Sequence, residues 1–173
     1  MNGNGVLIYR EEQKFAAWLC WLVYISMGLA VWISVFALKK EFSGQSEPGT
    51  LEILLAVIVG IGVPIAIAAL FVFLKLETEV RSDGIYIRYL PFHIRFKRFA
   101  PEDLSEYYAR QYKPIREYGG WGIRCGLFGK GKAYNVSGNK GVQLVFKNGK
   151  RLLIGSQKAE ELETAIRSIK GGG

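Results

Sequence analysis

Apolar and polar positions change their period once along this chain, and the change divides it in two. Residues Phe15–Leu38 and Leu51–Leu74 are almost continuously apolar, whereas from Leu76 onward apolar and polar residues alternate. A hydrocarbon core about 30 Å thick is crossed by roughly 20 helical residues rising about 1.5 Å each. Both runs meet that length with room for tilt. The first holds no charge, and the second holds only Glu52, close enough to its start for the carboxylate to reach the interface. The polar loop Lys39–Thr50 between them predicts a turn. The expected organisation is therefore a transmembrane helical hairpin (helices 15–38 and 51–74) carrying a head over residues 75–173. Residues 1–14 precede it as a flexible start followed by a polar collar, Arg10–Lys14. The first run is too long for a signal-peptide core and lacks a small-x-small cleavage site, which predicts an uncleaved anchor.

Within the runs, small residues recur every four positions: Ser26, Ala30 and Ser34 in the first, Ala56, Gly60, Pro64 and Ala68 in the second. Residues four apart share a helix face, and small side chains let backbones approach in lipid. Antiparallel packing is expected to set Ser34 near Ala56, Ala30 near Gly60 and Ser26 near Pro64. Pro64 removes a backbone donor and is expected to kink its helix.

In the head, alternation predicts strands over Leu76–Val80 and Ile85–Leu90, joined through Ser82-Asp83-Gly84. A third is expected over Phe92–Phe99, with His93, Arg95 and Lys97 opposite Ile94 and Phe96. Pro101–Leu104 reads as a short helical turn and Tyr107–Tyr112 as a strand. Trp121–Arg124 and Lys132–Val136 follow as short strands in a glycine-rich stretch. Val142–Phe146 and Arg151–Ile154 form a hairpin through Asn148-Gly149. The last element is a helix capped by Ser156, with Leu162, Ala165, Ile166 and Ile169 on one face. The fold class is α+β: a curling antiparallel sheet of short strands whose open end one C-terminal helix covers.

Charge changes the picture by giving it a direction. The chain carries a net +8, and most of its Lys and Arg lie after residue 74. Arg10, Lys14, Lys75, Arg81 and Arg88 flank the termini side of the hairpin, against Lys39 and Lys40 on the loop side. The excess predicts an integral inner-membrane protein with both termini cytoplasmic. Cys20 and Cys125 do not suggest a disulfide scaffold. Asn135-Val136-Ser137 is a formal glycosylation sequon that a cytoplasmic head would not use.

Three segments, Glu117-Tyr118-Gly119-Gly120-Trp121-Gly122-Ile123-Arg124, Ala133–Gly138 and Gly141–Leu144, together with Ile154–Gln157 before the last helix, resemble the bacterial pleckstrin-homology-like (PH-like) domains, which often follow a pair of membrane helices. The resemblance implies an antiparallel β-barrel or sandwich of two packed sheets capped by a C-terminal helix, and an interaction or assembly module rather than a fixed activity. The first hairpin offers only Arg81 and Arg88, not the Lys-x-Lys/Arg-x-Arg arrangement of the inositide-binding kind.

Catalytic candidates are sparse. Gly126–Ala133 matches most of a phosphate-binding loop, but Ala133 stands where a magnesium-binding hydroxyl is required and a strand follows where a helix is required. His93 is the single histidine, and no spacing brings it to Cys125. Zinc ligands are too few. Glu102, Asp103 and Glu106 beside a helical turn read as solvated charge. No cofactor and no enzymatic activity are expected. Arg88, Arg95, Lys97 and Arg98 form the candidate lipid surface, each cation near an anionic leaflet contributing about 1 kcal/mol. Trp121 and Arg124 are the candidate contacts for a protein partner. The expected function is a membrane-anchored, non-catalytic scaffold that recruits or stabilises a protein partner, a second copy of itself being one option. Nucleic acid is not expected as a partner. The alternative is an accessory enzyme or small-ligand protein using residues 119–132.

Overall fold

The computed structural model describes residues 5–15, 17–42, 49–126 and 129–171. The side chains of Lys40, Glu52 and Ala56 lie outside that description, as do residues 43–48 of the loop and Leu127-Phe128 of the glycine-rich stretch. The chain falls into two units, one of residues 15–73 and one that joins residues 1–14 to residues 74–173.

The first unit is helical. Helix α1 spans Ala17–Phe42, α2 spans Thr50–Val57, and a π-helical turn, Ile58–Gly62, leads into α3, Val63–Phe73. The stretch Ile53–Phe73 is the one described helix long and apolar enough to cross a membrane. In α1 the apolar stretch among the described residues is Cys20–Phe36, so of the two expected spans one is shown at full length. Pro64 has no N–H to give residue 60, and its ring crowds that residue's carbonyl. The wider turn just before it, where Val63 N–H bonds Ile58 O, relieves the conflict as a π-bulge. The small-residue seam has a different register from the expected one. Gly60 faces Ser34 rather than Ala30, so closely that a Cβ there would come within 2.6 Å of the Ser34 Cβ. The rings of Phe15 and Phe71 meet at 5.4 Å.

The second unit is α+β. One sheet has the order β1-β2-β3-β4, from Leu7–Lys14, Lys75–Arg81, Gly84–Leu90 and Lys97–Phe99. The other has the order β5-β8-β9-β7-β6, from Leu104–Gln111, Lys140–Phe146, Arg151–Gly155, Lys132–Asn135 and Gly122–Cys125. The two sheets do not join into a closed barrel, which corrects the barrel form of the expectation. Helix α5, Ala159–Lys170, buries Ala159, Leu162, Ala165 and Ile166. Its apolar stripe is the one the spacing predicted. Ser156 does not cap it from the N-cap position. Its hydroxyl accepts from Lys158 N and donates to Glu11.

Two segments depart most from their sequence patterns. Leu7–Lys14, expected as a flexible start and polar collar, is an edge strand paired along β2 from Leu7↔Arg81 to Lys14↔Lys75. Its polar residues are anchored: Glu11 accepts from Ser156 Oγ (2.6 Å), Tyr9 Oη (2.7 Å) and Gln157 N (2.9 Å), and Gln13 Nε2 donates to Gly155 O (2.7 Å). Phe92–Phe99, expected as one strand, is a folded loop with strand geometry only at Lys97–Phe99. A short helix, α4 (Pro114–Tyr118), also breaks the glycine-rich stretch and ends at Gly119 in the left-handed region (φ 72°).

Strand β2 is buried on both faces, for two reasons. Leu76, Thr78 and Val80 pair with Tyr89, Ile87 and Ile85 on the core side. On the other side Glu77 and Glu79 are covered by the long cations that neutralise them. Arg88 and Lys75 hold Glu77, with Lys75 Nζ at 2.7 Å, while Arg81 (2.6 Å) and Arg10 (3.7 Å) hold Glu79. Burial alone would raise the Glu77 carboxyl, but hydrogen bonds from Arg88 and Lys75 outweigh it and leave the group below its usual value.

Candidate functional site

The basic residues expected to form a lipid surface sit in three different settings. Arg88, on β3, is bound to buried Glu77, and its guanidinium lies 4.5 Å over the Phe96 ring. Arg98, on β4, donates to the Asp83 carbonyl and pairs with its carboxylate at 3.7 Å. Lys97 lies 2.8 Å from His93 Nε2 and donates to Tyr134 Oη at 3.2 Å. Arg95 is exposed on the loop between β3 and β4.

That loop is folded rather than extended. His93 N bonds Tyr89 O (2.7 Å), the His93 ring meets Tyr134 at 5.7 Å, and Phe96 meets Tyr86 edge-on at 6.3 Å. With His93 and Phe96 turned to protein, Phe92 (62% exposed) and Ile94 (77%) turn to solvent beside Arg95. The alternation expected for these residues is thus inverted at His93 and Ile94. Burial, followed by the charges of Lys97 and Lys132, holds the His93 imidazole below its ordinary pKa and neutral at pH 7.

Around the corner from Lys97, a cleft of about 790 Å³ opens between β4 and the loops and strands of the second sheet. Phe99 and Phe146, with rings 5.8 Å apart, line it together with buried Tyr134. Lys97, Lys132, Lys150 and Arg151 reach it, against one carboxylate, Asp103. Gly131 lets the glycine-rich loop close on β9: a Cβ there would come within 2.1 Å of Arg151 O. The loop runs into β7 rather than a helix, so it lacks the helix N-terminus a phosphate loop requires. Its contribution is a wall of the cleft. No residue-level pattern in the sequence announces this cavity, because its two sides come from different sheets.

The expected partner contacts are pinned in place. Trp121 is half-buried, and its indole N–H donates to Gly138 O at 3.0 Å. Arg124 is exposed and folds back to donate to Trp121 O at 3.0 Å. Asn135, the sequon asparagine, is fully buried. It accepts from Gly122 N and donates to Tyr112 Oη, which makes it a structural bracket. Cys125 is exposed at the cleft. Glu102 and Glu106 are exposed, as is Asp103, and no cluster of His, Cys, Asp and Glu suited to a metal occurs among the described residues.

The chain belongs to a family of unknown function, DUF6141, whose model matches residues 2–171. No curated protein and no solved structure matches it.

Proposed function

For this member of DUF6141 we propose a membrane-tethered, non-catalytic interaction module. A PH-like head held at the inner face of the membrane recruits or stabilises a protein partner, with anionic lipid orienting the head. One observation carries the reading. The apolar helix Ile53–Phe73 passes through a single residue, Leu74, into β2, a strand buried along most of its length. A sheet joined so directly to a membrane span has no linker in which to diffuse away. On this reading α1 crosses beside the second helix, and the cations flanking the helices keep both termini inside. The two sheets and the C-terminal helix support the PH-like likeness.

Two experiments test this. Alkaline carbonate washing should leave the full chain in the membrane fraction. Protease should then remove the head from inverted vesicles but not from intact cells. Release by carbonate, or shaving from outside, would end the proposal. Affinity capture in mild detergent should return a protein partner held in defined stoichiometry.

The cleft favours a second reading, in which the head holds a small anionic ligand between its cationic rim and aromatic floor. Native mass spectrometry of the full chain, showing a bound mass lost in K132E/R151E, would support that reading over the first.

A further inference from the structure

We propose that the loop between β3 and β4 is an interfacial anchor, with Phe92 and Ile94 embedded among the lipid headgroups and upper acyl chains. The inference rests on the membrane-tether reading and adds to it a contact that the basic candidates alone did not supply. Strand register locates the loop. Lys14 pairs with Lys75, and Lys75 with Leu90, so these three residues mark one end of the first sheet. At that end the chain leaves β1 for the helices after Lys14 and returns to β2 after Leu74. Neighbouring strands lie about 4.8 Å apart, so Leu90 is about 10 Å from Lys14 across two strand spacings. The loop begins at the next residue. Val6 sits at the opposite end, where its carbonyl accepts from Ser82 N.

The loop's own packing supplies the second argument. His93 and Phe96 are spent on Tyr134, Lys97, Tyr86 and Arg88. This fixes the backbone so that Ile94 stays exposed and Phe92, resting against the Tyr89 ring at 6.3 Å, stays mostly exposed, and the apolar area left bare carries a solvation cost. An exposed Phe and Ile on an ordered loop, with Arg95 between tip and strand and no carboxylate from Pro91 to Phe99, match an interface of apolar chains beneath anionic headgroups. Arg88 and Arg98, already paired within the protein, contribute less to that contact than their sequence positions suggested.

The test uses the full chain in vesicles of phosphatidylcholine with and without phosphatidylglycerol. A spin label is placed at I94C, F92C or, as the control at the far end, V6C, each with C20S and C125S. Collision with oxygen, which concentrates in lipid, is compared with collision with a water-soluble nickel chelate. The oxygen-to-nickel ratio at positions 92 and 94 should exceed that at position 6 by about tenfold, in both lipid mixtures and at high salt, as apolar burial requires. A ratio equal to that at position 6 would overturn the anchor while leaving carbonate resistance, and so the tether, intact. Immersion found only with phosphatidylglycerol at low salt would make charge the anchor and overturn the proposal. Labels shielded from both collision partners would put a protein over the loop, with the same result. Loss of the chain itself to the carbonate wash would instead be a failure of the tether reading.

Discussion

Residues 7–14 and 91–99 are both short, mixed in polarity and adjacent to β2 or β3, yet they fold in opposite senses. The first is rich in charge and becomes a strand whose Glu11 and Gln13 point inward. The second is rich in aromatics and becomes a loop that sends Phe92 and Ile94 outward. The difference lies in available partners. Glu11 finds Ser156 and Gln157, and Gln13 finds Gly155, all beside the C-terminal helix. A buried polar group so satisfied costs little and fixes geometry well. Phe92 finds only the edge of the head at the Tyr89 ring, 6.3 Å away, and both it and Ile94 stay mostly exposed while His93 and Phe96 turn to the protein. Polarity alone therefore does not decide which side of a chain is buried. The reachable partners decide it.

The comparison breaks first at Glu11. Glu11→Leu removes three hydrogen bonds and strands Ser156 Oγ and Gln157 N, at a cost of about 3 kcal/mol. Denaturant unfolding of the full chain in detergent would measure it. A loss below about 1 kcal/mol would mean that β1 holds by its backbone ladder alone.

Next in size is an acid effect on the strand between the two segments. Glu77 on that strand, and Glu117 on α4, are both held below their ordinary carboxyl range: burial is outweighed at Glu77 by hydrogen bonds from Arg88 and Lys75, and at Glu117 by the Lys113 backbone N–H together with Arg110 and Lys130. A depressed folded-state pKa gives stability that is complete above the unfolded value and lost as pH falls through the folded one. Unfolding free energy should decline below about pH 4.5. E77Q should be less stable than the parent at pH 7 and converge with it in acid. Parallel curves would place the acid sensitivity elsewhere. His93 adds a smaller penalty beginning below about pH 6.5, since its folded pKa is lowered and the unfolded chain binds the proton more readily.

Gln13→Ala should cost about 1 kcal/mol, one buried hydrogen bond to Gly155 O. The smallest effect is expected at the loop. F92S with I94S should change stability by less than about 1 kcal/mol in detergent, because both side chains stay mostly exposed on folding. A larger loss would show that these two side chains themselves pack on the head. Amide exchange should echo the same contrast, slow at Glu11 and Gln13 and fast at Ile94.

Parts of the fold and site were legible residue by residue. Ile85, Ile87 and Tyr89 alternate and form the core side of β3. Asn148-Gly149 joins β8 to β9 through a glycine at φ 79°, and Leu162, Ala165 and Ile166 mark the buried side of α5. Each signal is local, set by side-chain period or turn chemistry. The parallel pairing of β7 with β9 left no such trace, because strand order is set by packing between distant segments. Arg88 and Lys97 were visible as charge near a membrane, but Glu77 and Tyr134, which hold them, are 11 and 37 residues away.

By itself the amino-acid order determined the two apolar runs, the switch to alternation, the head's principal hairpins and its last helix. These follow from periodicities that a few neighbouring residues carry. Tertiary structure alone decided that a charged N-terminal segment is a strand of the head, that β2 is sealed by its own cations, that the sheets leave a cleft instead of closing, and that Phe92 and Ile94 face outward. Each of these depends on which groups meet across long separations, such as the 145 residues between Glu11 and Ser156. Hydrogen-bond satisfaction and close packing are properties of the assembled pair, not of either segment.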